Sequence, residues 1–166
     1  KYKAFGTSSI MFGDDATGTI SSADNNTGLG VDVFAALTSG DDNTAVGKNA
    51  LNAATTGHSN TAIGKAAGEA ITTGSENVFV GERSGDALTE GTNNTGVGHK
   101  ALSSATTAVS NDAFGNDALQ SLTTGTRNVG IGSFTLDALT TANDNTAVGY
   151  AALGANTTGT GNVAVG

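Results

Sequence analysis

Apolar and polar positions along this chain recur together every 17 residues, a period far longer than that of a strand or a helix. Asn stands at Asn26, Asn43, Asn60, Asn77, Asn94, Asn111, Asn128, Asn145 and Asn162, and Ser9 holds the same place one repeat earlier. A Gly follows four residues after each, from Gly13 to Gly166. A unit this short cannot bury its own apolar face, so ten uninterrupted copies imply coils stacked on one another, with residues 1–166 forming a single repeat array. One clear copy, residues 43–59, reads N-T-A-V-G-K-N-A-L-N-A-A-T-T-G-H-S.

Counting the Asn as position zero gives each column a physical role. Positions zero to four are short, rich in Thr and Val, and end in Gly, which predicts a strand closed by a turn. Position three is always large and apolar, and Val46, Ile63, Val80, Val97, Phe114, Ile131 and Val148 are expected to form a core column. Positions eight and eleven share one volume. Where eight is Gly68 or Gly85, eleven is Ile71 or Leu88, and where eleven is Ala54 or Ala105, eight is Leu51 or Leu102. A spacing of three places both on one side of a helical or 3₁₀ turn, so the coil reads as strand plus helical turn, or as two strands with a tight corner. Position fourteen, Gly or Ala throughout, points to close backbone approach. The Asn column reads as a stacked structural ladder, and Ser or Thr at position twelve as a hydroxyl ladder. The fold class is therefore a parallel β-solenoid, one coil per repeat.

Composition narrows the function. Aromatic residues make up only 5% of the chain, so burial rests on many small side chains. A formal charge of −8, with no cluster of Lys or Arg, argues against nucleic acid and against anionic membrane. No apolar run is long enough to insert in a bilayer. Cysteine is absent, which excludes disulfides and thiolate metal sites. Position two carries Gly, Ala, Met or Phe and never a charge, so the second strand face is also expected to be covered, by a partner chain or by another part of the coil.

The pattern N-T-A-V-G-x-x-A-L-x-x-x-T-T-G resembles repeats of phage tail fibres and large bacterial surface proteins. Its N-x-A-V-G part is similar to the head repeats of trimeric autotransporter adhesins, although those repeats are nearer fourteen residues and lack the A-L-x-x-L portion. The resemblance implies an extracellular fibre segment, on a virion or a cell surface, working as a homo-oligomer with a trimer favoured. It also implies attachment to a cell-surface or glycan receptor through a repetitive surface. Residues 1–8 read as the tail of an earlier repeat, and both ends as cut from a longer fibre.

Three rival functions are weighed on particular residues. Catalysis would have to use His58 and His99, which occupy variable outward positions with no recurrent acid or nucleophile beside them. Calcium binding would use Asp14-Asp15, Asp41-Asp42 and Asn143-Asp144, but these acids do not recur in every coil as repeat calcium sites require. Ice binding would use the hydroxyls at positions twelve and thirteen, which adjacent strand positions would point to opposite faces. No catalytic residue, metal ligand or cofactor is expected.

Overall fold

The structure, a computed structural model, describes residues 2–4, 10–13 and 22–166. Ser9, Asp14, Asp15 and Ser21, and the Gly6 copy of position fourteen, lie outside the described residues. The strands are β1 (Tyr2–Ala4), β2 (Ile10–Gly13), β3 (Thr27–Gly30), β4 (Thr44–Val46), β5 (Thr61–Ile63), β6 (Val78–Val80), β7 (Thr95–Val97), β8 (Asp112–Phe114), β9 (Val129–Ile131), β10 (Thr146–Val148) and β11 (Val163–Val165). They form one sheet in chain order. From β2 onward every neighbouring pair is parallel with a register offset of one repeat, as in Ala45 opposite Ala62. β1 turns back and pairs antiparallel with β2, Tyr2 opposite Phe12, at the edge of the sheet. The chain is a parallel β-solenoid with one coil per 17 residues.

Strand alternation is obeyed, but in the opposite sense to the one expected. Position two faces inward: Ala45, Ala62, Phe79, Ala113 and Ala147 are fully buried. Position three faces outward. Ile63, Phe114 and Ile131 are exposed, and Val46, Val80, Val97 and Val148 are half-exposed, so the predicted core column is instead the outer face of the sheet. The reason is the width of the coil. Opposite the sheet, Leu51, Leu102, Leu119 and Leu136 at position eight and Leu37, Ile71, Leu88, Leu122 and Leu139 at position eleven fill the interior. Position seven, Ala in most coils but Val33, Ser84 and Thr135 in three, closes its side, and the remaining space beneath the strand admits only Gly or Ala in most coils.

Among the described residues the A-L-x-x-L segment forms no α- or 3₁₀-helix. It is a chain of turns in which positions six and eight have positive φ, for example Asn49 (61°) and Leu51 (48°), or Lys100 (55°) and Leu102 (57°). Such a φ is incompatible with a right-handed helical turn and costs a Leu about 1–2 kcal/mol. The cost is offset because the twist turns position eight inward. A single N–H of position eleven donates back to the carbonyl of position eight, as Ala54 to Leu51 (3.2 Å), which brings the two side chains together inside. Position seven also bonds within its own coil, Ala50 N–H to Gly47 O (3.3 Å), while positions six and eight bond to neighbouring coils: Asn49 N–H to Val31 O (2.9 Å) on one side, Leu51 N–H to Ala67 O (3.1 Å) on the other.

One coil departs from the common packing. Phe79 replaces the usual small residue at position two and is wholly buried. Its ring occupies space that leucines fill elsewhere, beside Gly85 of its own coil, Gly68 of the coil before and Gly96 of the coil after. A Cβ on Gly96 would lie 2.9 Å from the Phe79 ring, one on Gly68 3.5 Å from it, and one on Gly85 would overlap the ring. The volume shared by positions eight and eleven thus has a third claimant at position two. Phe79→Ala should cost about 3–5 kcal/mol of stability in denaturant unfolding. Gly85→Leu alone should also destabilise, yet added to Phe79→Ala it should recover part of the loss, a coupling that a double-mutant cycle measures.

Candidate functional surface

The most regular polar feature lies inside the rod. Asn94 is 1% exposed. Its backbone N–H and its Nδ2 both donate to Asn77 Oδ1 (3.0 Å each), and Nδ2 also donates to Ala108 O (2.8 Å), which closes its own coil. Its Oδ1 in turn accepts from Asn111 N–H and Asn111 Nδ2 (3.1 Å each). The same bonds link Asn26 to Asn43, Asn43 to Asn60, Asn60 to Asn77, Asn111 to Asn128, Asn128 to Asn145 and Asn145 to Asn162. The buried amides from Asn43 to Asn145 are saturated by these bonds, and their chemistry is structural.

The hydroxyl column at position twelve is also absorbed by the fold. Each Thr Oγ1 donates to the carbonyl of the next Thr, as Thr55 to Thr72 (3.0 Å) and Thr89 to Thr106 (3.1 Å). Three successive N–H groups, those of Thr55, Thr56 and Gly57, converge on the Thr72 carbonyl, so this corner is tightly wound and presents no flat strand face. Two of the oxygen-bearing side chains in the candidate calcium pairs accept from the backbone. Asp41 Oδ1 accepts the Asp24 N–H (2.7 Å), and Asn143 Oδ1 accepts the Thr126 N–H (2.7 Å). Among the described residues no group of three or more His, Asp or Glu is placed to hold a metal ion.

Outward loops carry the variable chemistry. Position five runs Lys48, Lys65, Glu82, His99, Asn116, Ser133, Tyr150 up one corner. Lys65 Nζ bonds Glu82 Oε1 (3.0 Å), and His99 Nδ1 meets Asn116 Oδ1 (3.2 Å). Arg127 and Asp144 pair at position sixteen, Nε to Oδ1 at 2.7 Å. The Lys65 hydrogen bond holds the Glu82 carboxyl below its ordinary range, and Arg127 does the same to Asp144, whereas burial pushes Asp86 up. The side chains of Glu82 and Asp144 stay open to water, so these pairs are screened by solvent. His58 is exposed beside Ser59. Neither His meets an acid and a nucleophile together.

The described residues enclose no pocket. No helix among them is long and apolar enough to cross a membrane. No family model, curated protein or solved structure matches the chain. What remains as a candidate surface is the outer sheet face, with Thr27, Thr44, Thr61, Val78, Thr95, Asp112, Val129, Thr146 and Val163 at position one beside the large apolar side chains of position three. Sequence reasoning missed it because it sent position three inward. The signal was present: position one is polar or β-branched and position two is small, a pairing that suits an outer face over a narrow interior.

Replacing Asn94 by Ala strands the Asn111 N–H and the Ala108 carbonyl in a buried column, at about 1–3 kcal/mol each. The expected loss is several kcal/mol in denaturant unfolding. Asn94→Asp should be as damaging at neutral pH, because the new oxygen faces the acceptors Asn77 Oδ1 and Ala108 O. Burial against acceptors raises a carboxyl's folded pKa, so this variant should regain stability below the unfolded carboxyl range and lose it as pH rises through the folded value. Urea melts at two pH values check both.

Proposed function

We propose that this chain is a structural fibre segment, a shaft or head of an extracellular adhesion appendage such as a phage tail fibre or a bacterial surface adhesin. In this reading it works as a homo-oligomer, with a trimer favoured, and meets a cell-surface or glycan receptor through repeated weak contacts. The observation that supports it is the sameness of the coils. Each presents nearly the same outline to solvent, and its recurrent polar groups are spent on the neighbouring coil, which suits holding distance and presenting a surface many times over. A single shaped pocket needs convergent, non-repeating polar groups instead.

A second reading is favoured by one observation. The outer face is a parallel sheet with Thr27, Thr44, Thr61, Thr95 and Thr146 in one column, the regular hydroxyl spacing an ice-binding surface uses. Val78, Asp112, Val129 and Val163 interrupt that column, which weighs against it. Measurable thermal hysteresis in the purified chain would support ice binding.

The fibre reading is tested by length. Chains with added 17-residue units should give solution scattering profiles of a rod that grows by about 4.8 Å per unit. A profile that stays compact as units are added would remove the shaft function. Melting should not change on addition of a chelator, and a large drop would point to structural calcium.

A further inference from the structure

The outer sheet face carries a combination that solvent alone does not explain. Over the ten strands β2–β11 it presents two side chains per coil, and its large residues stand well out of the surface: Leu29 is 52% exposed, Ile63 41%, Phe114 39% and Ile131 43%. The chain carries 22 charged residues, 7 basic and 15 acidic, yet this face holds just one, Asp112. Apart from Lys3 in β1, the others among the described residues lie at the turns and loops of the coil. A strand face left to water would be expected to carry charge and amide at some of these positions, whereas here an unbroken apolar column at position three runs beside a column of Thr and Val.

We infer that this face is the seat of a second copy of the same chain, laid along the rod coil against coil. This rests on the fibre reading above and assigns the contact within it. Three features select a copy over another partner. The first is period: a surface repeating at one strand spacing along its whole length is matched in register at every coil by another solenoid of the same repeat. The second is area. Two side chains per coil exposing together roughly 100 Å² give about 1,000 Å² per chain, above the ~800 Å² per partner of a standard stable interface. The third is charge. A chain of net charge −8 repels its copies everywhere except across a face almost free of carboxylates, which leaves that face as the place of closest approach. The face is also continuous, since each outward residue stands between its equivalents in the coils before and after, with no charged gap except at Asp112.

The outward direction of position three makes the proposal separable from folding. A Lys at Val80 or Ile131 extends into solvent in the single chain and into an apolar seam in the assembly, whereas a charge at neighbouring Phe79 enters the coil interior. The test is sedimentation or light-scattering mass of the intact chain across concentration, with circular dichroism and melting as controls. The wild-type chain should have a defined oligomeric mass. Val80→Lys with Ile131→Lys should weaken association by roughly tenfold or more while leaving the circular dichroism spectrum unchanged. Asp112→Thr should strengthen association. A single-chain mass for the wild type at high concentration would overturn the seam, and scattering from that same sample would still report whether the rod, and so the shaft reading, survives. Unchanged mass in the double Lys variant would place the contact on another face. Thermal hysteresis from a single-chain species, abolished by the Lys variant, would assign the face to ice instead.

Discussion

Each Asn oxygen in the buried column accepts two N–H groups from the coil above, while its own amide nitrogen reaches the coil below and the carbonyl that closes its loop. The rest of the rod depends on this. A coil of 17 residues makes few backbone bonds to itself, so nearly every donor must find a partner one strand spacing away. A slip of one residue between coils would tear the amide from its partners in both neighbouring coils at once, and would also turn the buried strand residues outward. The Asn ladder therefore sets register, and the leucines supply burial once register is set.

Close stacking has a second requirement, met at the Gly that ends each strand. From Gly30 to Gly149 these glycines hold φ between 127° and 146°, and a Cβ there would run into the backbone of the next coil. Position fourteen comes equally near, so a Cβ on Gly57 would collide with the Gly74 carbonyl, though no positive φ is needed there. The two columns pin the corners of the coil. Between them the chain takes up positive φ at residues as unfavourable as Leu119 (52°) and Phe134 (60°), because stacking leaves each coil one shape.

The period, the strand at its start and the stacking of coils were legible because they depend on chemistry that must recur: an amide, a glycine, a small residue at fixed spacing. The inside and outside of the strand were not. Alternation says that Ala45 and Val46 face opposite ways and is silent on which faces in. Bulk suggested Val46, yet Leu51 on the far wall had already taken the room. The turn from position five to eight was illegible for a related reason. Leu at positive φ has no local signature, since its conformation is imposed by neighbours above and below. At the candidate surface, each residue was visible in the sequence and only its direction was missing.

Phe79 and the three glycines around it make one stretch of the rod unlike the rest. Elsewhere a coil gained or lost whole, as when repeated genes exchange unequally, leaves the same neighbours touching and a shorter or longer rod. Removing residues 77–93 alone would instead set Gly68 near Gly96 across an empty space, and duplicating that coil would drive two rings toward one volume. Loss or gain of a coil within Asn60 to Ser110 should therefore cost more stability than the same change elsewhere. Variation in the length of this rod between lineages should be freest on either side of that stretch.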